Sequence, residues 1–219
     1  MATLDETRRR LRAVRGPRPL LSRERERELT ERQRQILDEL EALVADGFAE
    51  LTMAELAARL NCSLRTLYAL APSRDELVLI VIDRSLWRIG RQAHDAIGDD
   101  LSPLDAIRAY LEAATVAVSG WTAAFARDLA AVREAQQLQD GHNEYLFAVT
   151  RTLLDLAVER GDIAAVDTSA VARVLAGLGR FFSRPAVIPT LRSSPKQAAD
   201  DVVDLILAGL RAHTPEGAP

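Results

Sequence analysis

The chain has 219 residues, a formal net charge of −4, one cysteine and three histidines. Cys62 alone cannot form an internal disulfide, and His94, His142 and His213 lie too far apart for metal-ligand spacing, so neither a disulfide framework nor a metal or other cofactor is expected. A chain of this length buries a core without such staples, and its arginine-rich first thirty residues contain no apolar stretch of the kind found in signal peptides or membrane spans; a soluble, cytoplasmic protein with no membrane partner is expected.

The charge is unevenly placed. Residues 1–74 hold 14 arginines against 12 acids, whereas residues 75–219 hold 14 basic side chains against 20 acids. Six of those arginines (Arg8, Arg9, Arg10, Arg12, Arg15 and Arg18) fall within the first twenty residues. A basic N-terminal end on an acidic body suits a protein that offers one end to phosphate. The run itself reads either as a solubilising extension or as an arm that tracks a DNA groove. Residues 1–29 are therefore expected to form a mobile arm.

Apolar residues recur at helical spacing through most of the chain, and no segment alternates like a strand, so the predicted fold is all-α. The first stripe is Ile36, Leu37, Leu40, Leu43 and Val44, stopped by Gly47 and continued by Phe48 and Leu51. Thr30 and Gln33 fit a capping box at its start, while the Arg/Glu run from Ser22 to Arg34 could extend the helix backward, which leaves that boundary open. Thr52 and Glu55 cap a short helix over Met53–Leu60. The Asn61-Cys62 turn follows, with Asn tolerating the left-handed conformation that ends a helix. Ser63 caps the next helix, Leu64 to about Leu70, which Pro72 ends, and Ser73 with Glu76 starts a long helix from Arg74 to about Ile97.

Three helices joined by short turns, the second and third roughly perpendicular, make a helix-turn-helix unit over residues 30–73. Packing through Ile36, Leu40, Leu43, Leu56, Leu60 and Leu67 would leave Leu64, Arg65, Thr66 and Tyr68 on an open side. Thr52 and Ser63 sit at helix N-termini, where free N–H groups favour a phosphate oxygen. Arg65 suits a bidentate contact with guanine. Taken alone, such a unit is also an ordinary helical corner, and Cys62 reads as a small apolar residue of the turn.

Ile36-Leu37, Gly47-Phe48, Leu51 to Ala57, Ser63 to Tyr68 and Ser73 to Leu77 together resemble the signature of the TetR family of bacterial regulators, over roughly residues 33–80. The resemblance implies a homodimer bound to double-stranded operator DNA, with Ser63, Thr66 and Tyr68 at the DNA backbone. Arg74, standing where the family's usual lysine does, is implied to meet a phosphate. It further implies a helical ligand-binding and dimerisation domain over residues 74–213, followed by a tail over 214–219. The chain departs from the pattern at Asn61 and Arg65, where the family commonly has glycine, and at Leu70-Ala71, where it has an aromatic pair that helps to hold DNA and the long helix.

Further along, stripes recur at Leu104/Ile107/Leu111/Ala114, Trp121/Phe125/Leu129/Val132, Leu146/Val149/Leu153/Leu156, Val171/Val174/Leu175/Leu178/Phe182 and Val202/Leu205/Ile206/Leu210. Trp87, Tyr110, Trp121, Phe125 and Tyr145 read as core residues or as the walls of a pocket for a small lipophilic effector. The last two stripes carry more apolar surface than a monomer covers. Leu175, Leu178, Phe182, Val202, Leu205, Ile206 and Leu210 are accordingly expected at a two-fold interface, the alternative being that both helices pack on their own domain. No nucleophile–base pair, phosphate loop or metal spacing supports an enzyme. The expectation is a ligand-responsive DNA-binding regulator, in the first instance a repressor; the rival is a helical scaffold that has lost operator binding.

Overall fold

The computed structural model describes residues 2–98, 100–118 and 122–212, and the side chains among them other than 2–5 and 116–118. Among the described residues there are eleven α-helices and no strand. They are α1 (Ala2–Ala13), α2 (Arg23–Glu28), α3 (Glu31–Val44), α4 (Met53–Arg59), α5 (Leu64–Leu70), α6 (Arg74–Asp95), α7 (Pro103–Val118), α8 (Ala123–Ala131), α9 (Arg133–Glu159), α10 (Thr168–Phe182) and α11 (Pro195–Ala212).

Capping side chains decide where these helices begin. Both halves of the Thr30/Gln33 box form, so α3 starts at Glu31. The preceding Arg/Glu run becomes a separate six-residue helix behind its own cap, Ser22. Pairing of charges within that run is worth only tenths of a kcal/mol, about 0.2–0.5 per pair, which does not outweigh a satisfied cap worth about 1 kcal/mol.

Two compact units divide the chain. One comprises residues 17–88 and 120–140, the other residues 1–16, 89–119 and 141–219. The first holds α2 to α5, most of α6, α8 and the start of α9. Its core joins Ile36, Leu37, Leu40, Leu56 and Leu67, all at most 1% exposed. Leu60 is also buried, whereas Leu43 only packs on the margin of that core. The second unit is built on Ile107 and Tyr110 of α7, Leu153 and Leu154 of α9, Leu175 of α10 and Leu207 of α11. The sequence places a boundary between residues 73 and 74; by packing, the long helix α6 contributes to both units.

The N-terminal arm differs from its expectation. Its first part is α1, whose Leu11 is buried in the core of the second unit. Arg10 there pairs with Glu159 at 2.6 Å and with Glu6 one turn back, and Arg160 donates to the Thr7 hydroxyl at 2.7 Å. These contacts hold the Glu159 and Glu6 carboxyls below the usual carboxylate range, through hydrogen bonds from Arg10 first of all. Further on, the Leu20 N–H donates to the buried Asp83 carboxylate at 2.8 Å. A few apolar side chains, with Leu11 and Leu29 buried and Val14 and Leu21 packed on the cores, together with these polar contacts dock a segment that composition alone marks as solvated.

Candidate nucleic-acid interface

The helix-turn-helix takes its shape from its caps. Thr52 accepts from the Glu55 N–H while Glu55 accepts from the Thr52 N–H and hydroxyl, both at 2.8 Å. Hydrogen bonding from the Thr52 backbone, then from its hydroxyl, lowers the pKa of Glu55. Asn61 takes the left-handed conformation expected of the turn, with φ 46°. Arg32 closes the turn from outside by donating to the Leu60 carbonyl at 2.8 Å. Ser63 then caps α5 by accepting from the Thr66 N–H, and its hydroxyl lies 2.8 Å from that of Thr66.

The two sides of α5 are chemically distinct. Leu67 is fully buried and Leu70 nearly so, both in the core of the unit. Leu64 and Tyr68, one turn apart, are 43% and 53% exposed, and Arg65 beside them is exposed with no ion-pair partner among the described residues. Positions 64, 65 and 68 share one helical face. This face combines an apolar contact, a planar fork of donors and a phenol, which are groups that read base edges and meet backbone. Of the two hydroxyl protons on Ser63 and Thr66, one is used between them and the other has no acceptor among the described residues.

Two positions behave otherwise. The Thr52 hydroxyl donates to Glu55, so a phosphate at that N-terminus would meet a carboxylate. Arg74 is turned inward. Its Nε donates to the Leu51 carbonyl at 2.8 Å and a terminal nitrogen donates to the Phe48 and Ala49 carbonyls, while the guanidinium lies 5.8 Å from the centroid of the Phe48 ring. The other terminal nitrogen pairs with Asp75 at 2.6 Å. The expectation of a phosphate-binding Arg74 is therefore revised: its donors close the α3–α4 loop.

That loop has further supports that no pattern in the sequence signals. The Asp128 carboxylate of α8 accepts from the Phe48 and Ala49 N–H groups at 2.6 and 2.9 Å, and the Thr122 hydroxyl donates to the Ala45 carbonyl at 2.8 Å. Gly47, with φ 114°, lies against α8 so closely that an added Cβ would meet the Ala124 Cβ at 3.2 Å. An alanine at Asp128 would leave the part-buried Phe48 N–H and the exposed Ala49 N–H without their acceptor. It is expected to lower stability by about 1–3 kcal/mol, read as a reduced thermal midpoint at unchanged helicity.

The fold of this chain recurs in solved structures. A TetR transcription regulator from Haloarcula marismortui ATCC 43049 superposes with TM-score 0.71 at 16% identity, over 83% of this chain and 99% of that one. The chain has the TetR fold. The TetR family regulator PfmR from Thermus thermophilus matches with TM-score 0.58 at 22% identity, over 80% of this chain and 98% of that one. A tetR-family regulatory protein from Rhodococcus RHA1 matches with TM-score 0.59 at 17% identity, over 83% and 98%. No protein-family description matches the sequence, and no curated protein matches it.

Within the TetR fold of this chain, the departure at Leu70-Ala71 is accommodated by packing. Both residues are buried in the core that also holds Leu77 of α6. Of the aromatic residues expected around a ligand, Tyr110 and Tyr145 come together in the second unit, and Phe125 and Trp87 are not with them. Tyr110 is buried in the second unit, where burial and its neighbour Tyr145 push its phenol pKa far up. Phe125 belongs to the core of the first unit, edge-on to Phe48 at 5.8 Å, because α8 folds with the helix-turn-helix rather than with a ligand domain. Trp87 is half-buried on the first unit's part of α6, and Trp121 lies outside the described residues.

A cavity of about 540 Å³ does exist in the second unit, but none of these aromatics lines it. It lies among α1, the end of α6 and the start of α7, with Arg8, Arg12, His94 and Asp95 on its walls. Among the described residues no cluster of metal-ligating side chains occurs and no helix is long and apolar enough to cross a membrane.

The residues expected at a dimer interface separate into two groups. Leu175 is 2% exposed and committed to its own unit's core, because its face of α10 is the inner one. Leu178, Ile206 and Leu210 are half-buried against that same core, and Phe182 and Val202 are half-buried as well. Leu205 is 73% exposed, and Val174 and Phe181, missing from the expected set, are 53% and 46% exposed. Gly177 and Gly209 have open space where a Cβ would be.

Proposed function

We propose that this chain is a homodimeric, non-enzymatic transcription regulator that binds a pseudo-palindromic DNA operator, represses, and is released by a small lipophilic effector. The observation that carries this reading is the outer face of α5. Leu64, Arg65 and Tyr68 stand clear of a core that holds Leu67 and Leu70, on a fold shared with TetR regulators. Two copies would place their α5 helices in successive major grooves, about 34–36 Å apart.

The test is selection of bound fragments from genomic DNA, followed by a salt titration on the selected duplex. A regulator that neutralises six or more phosphates loses on the order of a thousand-fold in affinity between about 50 and 200 mM salt. A scaffold that kept the fold and lost DNA binding shows no such slope.

Dimerisation is supported by the exposed apolar faces of α10 and α11. Val174, Gly177, Leu178 and Phe181 recur at helical spacing, as do Val202, Leu205, Gly209 and Ala212. Glycines open to the outside let a second helix approach closely. Leu205→Arg is expected to give a folded monomer by sedimentation, since the side chain contributes little to its own core. The same substitution should weaken operator binding by about a hundred-fold or more, the avidity of two linked half-sites. A dimer that persists in this variant places the interface elsewhere.

Release is assigned to α6, which carries Arg74 at one end and His94 in its last turn. An effector that binds better when α6 is displaced would shift the population away from the DNA-competent arrangement.

A further inference from the structure

We propose that the cavity under α1 is a binding site for a small amphipathic anion, an acidic group carried on an apolar body. Its volume, about 540 Å³, lies within the range of roughly 300–1,000 Å³ typical of small-molecule sites. Its lining is divided by chemistry. Arg8 and Arg12 of α1 and His94 of α6 supply donors, while Leu11, Ile97 and Leu101 supply apolar surface.

Arg12 selects the sign of the ligand: among the described residues its guanidinium lines the cavity together with Arg8, His94 and Asp95. Arg8 and Arg12 lie one helical turn apart, so a bound anion would meet both guanidinium groups from one face of α1. Arg12 makes no ion pair with any described residue, in contrast to Arg10 on the adjoining face, which is occupied by Glu6 and Glu159. A guanidinium of this kind forms paired, charge-assisted hydrogen bonds to a carboxylate or sulfonate.

Apolar surface completes the site. Leu101 is 38% exposed at the cavity, where an aliphatic or aryl body would cover it. Since α1 is one wall and is docked by Leu11, Arg10 and Thr7, ligand binding and the docking of α1 support each other. The site thus adds a head-group requirement to the lipophilic effector. Its regulatory consequence rests on the proposed function, whereas binding itself does not.

For that reason the test uses the full-length protein without DNA. Octanoate and anilinonaphthalene sulfonate are titrated by calorimetry and fluorescence, with octanol as the uncharged counterpart and octylammonium as the cationic one. The expected result is saturable binding of one anion per chain, with octanol at least about ten-fold weaker and octylammonium not bound. Arg12→Ala should weaken anion binding by about ten-fold or more, the loss of a charge-assisted pair, and Arg8→Ala/Arg12→Ala should abolish it. Arg133→Ala, with a side chain 82% exposed on the other unit, should change nothing.

Gly98→Leu provides a second route that leaves the arginines intact. Its Cβ would meet Leu101 only at 3.5 Å, an ordinary contact, so the larger side chain fills the cavity without displacing its wall. It should block both probes at an unchanged thermal midpoint. Failure of both anions to bind, or equal binding by the wild type and the Arg8→Ala/Arg12→Ala protein, overturns the site. Either result leaves the operator reading standing, since that is measured separately on DNA.

Discussion

Against the selected operator, Arg65→Ala should lower affinity by about ten- to a hundred-fold and relax the base preference at one position in each half-site. Arg65 is the second residue of α5, exposed, and without an ion-pair partner among the described residues. A guanidinium held this way meets guanine O6 and N7 in the major groove with two parallel hydrogen bonds. Binding to unrelated duplex should hardly change, since the contact carries sequence information rather than general attraction. Arg65→Lys should recover only part of the loss, a point charge being unable to reproduce the fork. The opposite pattern, weakening on all duplexes alike with a salt slope reduced by about one, would assign Arg65 to a phosphate.

The outward placement of Arg65 is legible in the sequence almost intact, because helix-turn-helix geometry is local. Thr52, Asn61, Ser63 and the spacing of Leu56, Leu60 and Leu67 determine where two short helices start, turn and face inward, all within about twenty residues. The outer face of α5 then follows by elimination. The capping boxes at Thr30 and Thr52 are legible for the same reason, each being a contact across three residues.

Long-range contacts are less legible. Asp128 reaches a loop 80 residues earlier, and nothing in its neighbours announces this. The division of the chain into units has the same difficulty: α8 follows α7 in sequence and packs into the other unit, so Phe125 joins a different core from Tyr110. On α1 composition misleads, since six arginines in twenty residues outweigh one leucine in any average while that leucine decides where the helix docks. On α10 and α11 periodicity identifies apolar stripes without indicating which face the protein's own core takes, so it cannot separate Leu175, which is buried, from Leu205, which is open.

Arg74→Ala is expected to act on stability first. The side chain is 23% exposed and bridges the carbonyls of Phe48, Ala49 and Leu51, beneath which Phe48 packs on Phe125. Its removal leaves the Ala49 and Leu51 carbonyls without this donor and the Phe48 carbonyl with only the Leu51 N–H, and it opens the loop that positions α4, a loss of about 2–4 kcal/mol once discounted for partial exposure. The thermal midpoint should fall by about 2–4 °C for each kcal/mol in a domain of this size. Arg74→Lys should restore a minor part, because one ammonium cannot reach three carbonyls in the plane that the guanidinium spans. The decisive measurement is the salt slope of DNA binding, taken at a temperature where Arg74→Ala remains folded. With the guanidinium directed inward, that slope should match the wild type, and any loss of affinity should appear equally at low and high salt. A slope smaller by about one phosphate would mean that Arg74 leaves the loop to meet DNA, and that Asp128 and Thr122 alone hold the loop in the complex.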